Sequence, residues 1–256
     1  MGFDSDKHHL VKSDDGSFTA YSSEFDEHYH STRDGALHES LYKHVIPAFE
    51  HHKEKDEVTI LDICFGLGFN TLATLHYMRK NSIRKKVRIF SPEFDAELIA
   101  SLRSFTYPEI FRPFLPIIEA LSTKNVYEDE QLYIELYIGD AREFLRTTTE
   151  RFDIVYQDAF SPAVNPVLWT KEYFSDIARL IKEDGILTTY SMALKTRLAL
   201  YENGFNIYIN RGEGYRDATL ASKTELSGYE AVDMAHKIAC NPDVEPLHDH
   251  EILSKS

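Results

Sequence analysis

The stretch from Val58 to Asn70 reads V-T-I-L-D-I-C-F-G-L-G-F-N, and it decides the fold. It begins as an apolar run rich in β-branched residues, which is typical of a buried parallel strand. It then breaks into a turn that contains Gly66 and Gly68, and residues 71–80 have a helical pattern. A strand, a glycine-rich turn and a helix in this order indicate a nucleotide site. Glycine lets the backbone approach a ligand closely, and a helix N-terminus favours polar or negative ligand atoms.

The spacing of the glycines narrows the class of ligand. A dinucleotide site has the pattern G-x-G-x-x-G, whereas Gly66 and Gly68 are followed by Asn70 and Thr71 without a third glycine. Asp62 lies inside the strand, four positions before Gly66. This D-x-x-x-G-x-G arrangement is similar to that of methyltransferases that use S-adenosyl-L-methionine (SAM), a cofactor without a phosphate. The cofactor-binding residues predicted in this stretch are Asp62, Phe65, Gly66, Gly68 and Asn70.

Composition bounds the class of protein. The chain has 256 residues, of which 43% are hydrophobic and 27% are charged, as in ordinary soluble globular proteins. It has neither an apolar run long enough for a membrane span nor an N-terminal signal peptide pattern. The two cysteines, Cys64 and Cys240, provide no disulfide framework. We therefore expect a cytoplasmic protein without a membrane partner.

Charge is distributed unevenly along the chain. The net charge is −14, of which residues 1–57 carry −7, residues 58–222 carry −3 and residues 223–256 carry −4. Between Arg79 and Arg88, six basic residues occur without an acidic one. This cluster, together with Arg197, Arg211 and Arg216, is a candidate contact for phosphates, although a solvated helix end and loop explains it equally well.

Acidic residues end the strands that follow. Glu93 ends a strand over 87–93, where an acid of a doubly wound fold takes the ribose hydroxyls; capping of the next helix is the alternative. Asp140 follows a strand over 132–138 and is expected to bind the adenine amino group, to cap the following helix, or both. Asp158 ends a buried strand over 152–158. The loop behind Asp158 contains two prolines and the only tryptophan, Trp169, which predicts a rigid pocket wall.

The chain divides into three predicted parts. Residues 1–57 form a hairpin, with its turn at 14–17, and a helix that packs over the cofactor site. Residues 58–222 form the core, with a helical insert at 98–121 that prolines interrupt, and residues 223–256 form an acidic extension with a helical pattern at 229–238. Histidines 28, 30 and 38 lack the spacing of metal ligands, so no metal site is expected.

Four segments resemble the methyltransferase domain of the bacterial tRNA-modifying enzyme MnmC, over roughly Phe18 to Ala221. They are F-D-E-H-Y-H-S with H-E-S-L-Y-K behind it, I-L-D-I-C-F-G-L-G-F-N, D-A-F-S-P-A-V-N-P-V-L-W-T, and G-F-N-I-Y-I-N-R-G-E-G-Y-R-D-A-T-L. This chain departs from the usual pattern of the family, which has Asp-Gly-Phe in place of Asp158-Ala159-Phe160, Glu in place of Asp62 and a more basic tail than Tyr215-Arg216-Asp217.

The resemblance implies a Rossmann-like class I SAM-dependent methyltransferase fold with a seven-stranded, mostly parallel sheet. The implied reaction converts 5-aminomethyl(-2-thio)uridine at the wobble position of tRNA to 5-methylaminomethyl(-2-thio)uridine. Asp158 is the expected catalytic residue, Tyr29 and Glu39 are expected over the cofactor, and Phe160, Pro162 and Trp169 are expected against the uracil. The chain ends at Ser256, so we expect a stand-alone form without the oxidase domain and without FAD. We expect a separate enzyme to supply this form with the aminomethyl intermediate.

Alternative functions remain at this stage. An aminopropyltransferase of the spermidine synthase kind shares the fold and the acid at the strand end, but its motif D-x-x-D would need a second acid where this chain has Ser161. A methyltransferase of another small amine fits the same residues. A SAM-binding module without catalysis is also open, although the retained Asp158 argues against it.

Overall fold

The computed structural model of this protein describes residue 3 and residues 5–13, 18–33, 35–212 and 215–253. Near the N-terminus, three strands form a small antiparallel sheet: β1 (His8–Lys12), β2 (Phe18–Ser22) and β3 (Glu27–His28). β1 and β2 pair along their whole length. The turn expected at 14–17 between them lies outside the described residues.

A helical segment follows this small sheet. A π-helical turn at Ser40–Val45 joins α1 (Ala36–Glu39) to α2 (Ile46–His51). The π-helical turn includes Lys43 and His44, which are only 3% and 0% exposed. π-helical turns are rare and occur frequently at functional sites.

The central sheet contains most of the strands. Within the described ranges these are β4 (Glu57–Ile63), β5 (Lys86–Glu93), β6 (Val126–Glu128), β7 (Leu132–Ile138), β8 (Phe152–Gln157), β9 (Ile181–Thr189), β10 (Asn206–Asn210), β11 (Ala218–Ser222) and β12 (Glu230–Ala231). Their order across the sheet is β12-β10-β11-β9-β8-β4-β5-β7-β6. The five strands from β9 to β7 pair in parallel, whereas β11 pairs antiparallel with both β9 and β10. The predicted mostly parallel α/β sheet is therefore confirmed.

The strand count differs from the prediction. The sequence predicted seven strands, and the described part of the chain forms a sheet of nine. The additional strands are β6 and β12, which are three and two residues long and pair at the two edges of the sheet. Such short, exposed strands lack the alternation of apolar and polar residues that reveals a strand in a sequence.

Helices cover both faces of the sheet. Successive residues of β4 are fully buried on opposite faces, with Ile60 in one apolar cluster and Leu61 in the other. The first cluster contains residues of α3 (Phe69–Lys80), α4 (Ala96–Ser101) and α5 (Leu115–Lys124); the second contains residues of α6 (Ala141–Thr147), α7 (Lys171–Leu180) and α8 (Leu194–Tyr201). Complete burial of one such aliphatic side chain stabilises the fold by about 1.5–3 kcal/mol.

Three segments between or after these elements complete the description. In the helical insert, two 3₁₀ turns at Leu102–Ser104 and Glu109–Phe114 separate α4 from α5. β9 begins at Ile181, and its pairing with β8 shifts register between Phe152 and Ile154, which pair with Ile181 and Ile186. The helical pattern predicted at 229–238 becomes β12 followed by α9 (Met234–Cys240), and α10 (Asp249–Leu253) ends the described chain.

The topology determines where a ligand binds. β4 lies between β5 and β8, and the chain crosses to opposite sides of β4 to reach them, which makes this the switch point of the sheet. In open parallel sheets, ligands bind at the carboxyl ends of the strands beside such a switch point. None of the helices in the described ranges combines the length and the apolar character that crossing a membrane requires.

Candidate active site

A cavity of about 640 Å³ lies at the carboxyl ends of the parallel strands. The segment around the small N-terminal sheet forms its opposite wall through residues that include Phe25, Tyr29 and Arg33. The lining includes eight residues that the sequence predicted for the site: Tyr29, Glu39, Gly66, Asn70, Glu93, Asp140, Asp158 and Phe160. The fold thus brings together residues that are up to about 130 positions apart in the chain.

Five predicted site residues are described by the structure but do not line the cavity: Asp62, Phe65, Gly68, Pro162 and Trp169. Asp62 is 1% exposed and accepts hydrogen bonds from Thr71 Oγ1 at 3.0 Å and Asn70 Nδ2 at 3.4 Å. The Phe65 ring packs beneath the turn against Gly68. These three residues therefore shape the turn beneath the cavity.

The turn after β4 has an unusual backbone. Cys64, Gly66 and Gly68 all adopt a positive φ, of 64°, 53° and 75°. For a residue with a side chain this conformation costs roughly 1–2 kcal/mol, so Cys64 is a strained position of the kind that concentrates at functional sites. A Cβ atom on Gly66 would lie 3.1 Å from the Tyr29 ring, so glycine permits the close approach of these two segments.

Glu93 is fixed at the end of β5. Its Oε2 accepts a hydrogen bond from the Gly66 amide and its Oε1 accepts one from the Asp95 amide, both at 2.9 Å. Burial raises the pKa of Glu93, and these backbone donors oppose that rise. Asp95, not Glu93, caps α4, because its carboxylate accepts from the amides of Glu97 and Leu98. Carboxylate oxygens accept more than one hydrogen bond, so Glu93 keeps acceptor capacity for a ligand.

Asp140 lies just after β7 and caps the helix that follows. Its Oδ1 accepts from the Arg142 amide at 2.6 Å, which caps α6, and the residue also lines the cavity. Beside it in the lining is Phe94, an aromatic side chain that is 75% exposed. Phe94 was not predicted from the sequence; its place directly after the acid at the strand end was the available signal.

Asp158 lies where β8 ends, with both carboxylate oxygens near polar side chains. Oδ2 accepts a hydrogen bond from Asn70 Nδ2 at 2.9 Å, and Oδ1 lies 3.5 Å from His44 Nε2. Burial alone would raise the pKa of Asp158, but His44, His30 and Asn70 together hold it below its ordinary value. Asp158 is therefore an ionised carboxylate that can accept a hydrogen bond or a proton from a group in the cavity.

The loop after Asp158 presents one aromatic ring to the cavity. Phe160 stacks on Phe25 at 4.7 Å between ring centroids and packs at a tilt against Tyr29 at 4.9 Å. Trp169 was predicted to touch the substrate, and this is wrong: it is 0% exposed, and its Nε1 donates to the Phe160 carbonyl at 2.7 Å. Sequence reveals the residue type but not which side of the loop the ring lies on.

A group of charged and polar residues on the N-terminal segment also reaches the cavity. Glu39 forms a buried ion pair with Lys43 at 2.6 Å and accepts a hydrogen bond from the Ser31 amide at 3.0 Å. Burial lowers the pKa of His30, so its ring is neutral at physiological pH. His44 was not predicted from the sequence, because it lies far from Asp158 in the chain and belongs to no recognisable motif.

The basic cluster does not face the cavity. Arg79 and Lys80 are at the end of α3 and Lys86 begins β5, so they lie at the amino edge of the sheet. At about 3.3 Å per residue, an eight-residue strand separates that edge from the cavity by about 25 Å. Lys85 is buried against the His52 carbonyl, and Arg88 makes a bidentate ion pair with Glu150.

The other three arginines proposed from the sequence also differ in position. Arg197 is 7% exposed and donates to Thr219 Oγ1, so it is buried. Arg211 pairs with Asp217 and Glu230. Arg216 alone of the three lines the cavity, where Arg33 joins it.

Comparison with known proteins agrees with this geometry. Residues 110–224 match a family model described as an S-adenosyl-L-methionine-dependent methyltransferase. The crystal structure of MNMC2 from Aquifex aeolicus superposes with a TM-score of 0.83 at 30% sequence identity, covering 98% of this chain and 81% of that chain. A probable spermidine synthase from Corynebacterium glutamicum superposes with a TM-score of 0.59 at 13% identity, which shows the shared fold alone.

Two sequence relatives are longer than this chain. An uncharacterized protein from Methanocaldococcus jannaschii is 32% identical over 247 residues, which cover 96% of this chain and 64% of the relative. The bifunctional protein MnmC of Azoarcus sp., which is named for tRNA 5-methylaminomethyl-2-thiouridine biosynthesis, is 32% identical over 203 residues. That match covers 74% of this chain and 31% of the relative.

The sheet topology, the glycine turn at the switch point and the matching family model define a class I SAM-dependent methyltransferase. Within this class, the agreement with the Aquifex structure in both sequence and fold identifies the family. The chain belongs to the MnmC methyltransferase family.

Proposed function

We propose that this protein methylates the amino nitrogen of 5-aminomethyl(-2-thio)uridine at the wobble position of tRNA. The relatives named for 5-methylaminomethyl-2-thiouridine biosynthesis support this substrate. The observation that carries the proposal is the position of Asp158. This ionised carboxylate follows the end of β8 and lines the cavity together with the Phe160 ring and Gly66 of the glycine-rich turn. The substrate would come from a separate enzyme that produces the aminomethyl group.

The cavity residues fit SAM. At the end of β5, Glu93 can accept further hydrogen bonds and would bind the ribose hydroxyls. At the end of β7, Asp140 can likewise accept a further hydrogen bond and would bind the adenine amino group. The exposed ring of Phe94 offers the adenine a stacking surface. Asn70 Oδ1 is buried without a hydrogen-bond partner among the described residues, and a polar group of the cofactor would satisfy it. Tyr29 and Glu39 would close the cavity over the cofactor.

When bound, SAM supplies an electrophilic methyl group, so the protein has to align and deprotonate the attacking amine. A primary aminomethyl group is mostly protonated at neutral pH and cannot attack in that form. Asp158 accepts the proton of the ammonium group and orients its nitrogen. Asn70 holds the Asp158 carboxylate by a hydrogen bond, and the hydrogen bond from Trp169 Nε1 to the Phe160 carbonyl holds the loop that follows Asp158. The Phe160 ring, supported by Phe25, stacks on the uracil, which contributes about 1–3 kcal/mol per base.

Kinetics with one carboxylate removed test the proposal. Purified protein is given labelled SAM and tRNA from cells that accumulate the aminomethyl intermediate, with putrescine as a second acceptor. We expect Asp158→Asn to lower kcat at least about 100-fold while SAM still binds, because proton transfer typically contributes that much or more. Asp184→Asn, which removes an exposed carboxylate near the start of β8 and β9, is the matched control.

The comparison of tRNA with putrescine as acceptors separates methylation of tRNA from methylation of a small amine. Transfer to tRNA alone supports the proposal, and transfer of label to neither acceptor contradicts it. If the protein modifies putrescine and leaves tRNA unlabelled, it is a small-amine transferase.

A further inference from the structure

His44 lies behind Asp158 in a fully buried position. Its ring is 0% exposed, and its Nδ1 lies 2.8 Å from Thr188 Oγ1 on β9. Its Nε2 lies 3.5 Å from Asp158 Oδ1, and among the described residues it has no hydrogen-bond partner. A buried imidazole nitrogen left unpartnered beside a carboxylate costs free energy unless the site uses it.

The hydrogen bond to Thr188 explains why this nitrogen is available. When Nδ1–H donates to Thr188 Oγ1, Nε2 carries a lone pair, and this nitrogen and the Asp158 carboxylate are two acceptors that lie 3.5 Å apart. One proton between them would satisfy both. The π-helical turn at Ser40–Val45 holds the ring in this place.

The groups around His44 and Asp158 leave Asp158 as the charged neighbour of His44, so a proton from the cavity would reach His44 through Asp158. The titratable groups around the pair come from four parts of the fold: His30 after β3, Asp62 and Cys64 at the end of β4, Tyr156 and Tyr190 on and after β8 and β9, and Glu39 and Lys43 from the same helical segment. Burial raises the pKa values of Asp62, Cys64 and Tyr190, so these three groups carry no charge at neutral pH. Glu39 and Lys43 neutralise each other in their ion pair, and burial lowers the pKa of His30, which keeps it neutral. Asp158 is therefore the charged group that His44 meets directly.

We propose that His44 receives, through Asp158, the proton that the substrate ammonium must lose before methylation. The inference rests on the proposed function, and it assigns the place where the proton is held. One N–H bond of the ammonium breaks and leaves its electron pair on nitrogen, while an O–H bond forms on Asp158. That O–H bond then breaks as an N–H bond forms on His44 Nε2. The site ends with a neutral amine, an ionised carboxylate and an imidazolium.

The chemistry of the two groups explains the need for both. Neighbouring groups hold the pKa of Asp158 below its ordinary value, so this carboxylate alone retains a proton poorly at neutral pH. An imidazole is a stronger base than such a carboxylate and is the better place for the proton. His44 does not touch the substrate in this scheme; it acts through Asp158.

The first test compares His44→Gln with His52→Gln. His52 is also a buried histidine, but its Nε2 contacts the Asp153 carbonyl at the opposite end of β8. At pH 7 we expect His44→Gln to lower kcat about 10- to 100-fold with KM changed less than about twofold. The deficit should shrink towards pH 9.5, where more of the amine is free without help. A purely structural role would give the same deficit at every pH, and that result would overturn the proposal.

The second test needs no substrate. In protein labelled with ¹³C at the aspartate carboxyls, the Asp158 signal is assigned by its loss in Asp158→Asn. Because His44 helps hold the pKa of Asp158 low, we expect the carboxyl to titrate at a higher pH in His44→Gln than in wild type and His52→Gln. An unchanged titration would refute the pairing. If wild type fails to methylate tRNA, the proposed function fails, while this titration still decides whether the two groups are coupled.

Discussion

Gly68 shows how one residue determines the cofactor turn. It directly precedes α3 with a φ of 75°, and a Cβ at this position would lie 2.8 Å from the Phe65 ring. We predict that Gly68→Ala lowers the free energy of unfolding by about 2 kcal/mol or more, through strain and steric overlap together. Gly204→Ala is the matched control, since Gly204 has a φ of 86° but no atom within 4 Å of its Cβ position. Equal losses in urea unfolding would show that the overlap with Phe65 is unimportant.

Asp62 gives the stability of the protein a distinctive pH dependence. Burial raises its pKa to about 8, although Thr71 and Asn70 donate hydrogen bonds to it. The folded protein therefore holds a proton that the unfolded chain releases near pH 4. The protonated Asp62 therefore contributes fully to the free energy of unfolding below about pH 4, and this contribution is lost as the pH rises towards 8.

We predict that the free energy of unfolding of the wild type falls more steeply between pH 5 and pH 8 than that of Asp62→Asn. The difference in slope is at most about 1.4 kcal/mol per pH unit, the value for one proton. Urea unfolding at several pH values measures both slopes. Parallel profiles would contradict the raised pKa of Asp62.

The sequence predicts site residues most readily where they lie at the end of a strand. Glu93, Asp140 and Asp158 each follow a recognisable apolar run, and all three line the cavity. His44 could not be found in this way, because its role depends on contacts with β8 and β9, more than 100 residues away. Trp169 was assigned to the wrong side of its loop for the same reason: packing, not residue type, decides exposure.

At the scale of elements, the C-terminal segment is attached to the core by several contacts around Asp249, which include the His248–Glu172 ion pair and the hydrogen bond from the Lys171 amide to the Leu247 carbonyl. Asp249 at the start of α10 makes a bidentate ion pair with Arg142 on α6, and it accepts a hydrogen bond from Thr170 Oγ1 at 2.7 Å. Val167 and Leu168, which precede Thr170, line the cavity. The acidic extension therefore packs against the elements that form one side of the site.

We predict that Asp249→Ala destabilises this attachment by about 1–3 kcal/mol, because it leaves the Arg142 guanidinium buried without its partner. Hydrogen exchange in α10 should accelerate. The exposed Asp243 on the same segment provides the control, Asp243→Ala. Because Arg142 holds the pKa of Asp249 low, the difference between wild type and variant should fade as the pH falls below about 4. An α10 that exchanges as slowly in Asp249→Ala as in wild type would contradict this attachment.

Elements with a clear period were predictable, and short or irregular ones were not. β4, β5, β7 and β8 were recognisable as apolar runs, each followed by a turn or an acid. The edge strands β6 and β12 are too short to show a pattern. The π-helical turn depends on the packing of Lys43 and His44 inside the fold, which local sequence does not encode.

At the scale of the whole molecule, the proposed function requires that a chain with a net charge of −14 bind RNA. The sequence suggested the cluster between Arg79 and Arg88, but the fold places it at the far edge of the sheet. Arg33 and Arg216 are exposed and line the cavity itself. We propose that these two arginines contact the phosphates beside the target uridine.

We predict that Arg33→Glu and Arg216→Glu each weaken tRNA binding and reduce its dependence on salt concentration, because a lost phosphate contact lowers the salt slope by about one. Arg79→Glu and Lys80→Glu make the same charge change at the opposite edge and should have little effect. Binding isotherms at several salt concentrations test this. If Arg79→Glu and Lys80→Glu weaken binding while Arg33→Glu and Arg216→Glu do not, the RNA binds at the C-terminal end of α3 and the prediction is wrong.

The most direct measurement is mass spectrometry of nucleosides after tRNA that accumulates the aminomethyl intermediate is incubated with this protein and SAM. The account predicts that 5-aminomethyl(-2-thio)uridine disappears and that a nucleoside heavier by one methylene group appears at the wobble position. The Asp158→Asn variant should leave the intermediate in place. An unchanged aminomethyl nucleoside in the presence of wild-type protein that binds SAM would contradict the proposed function.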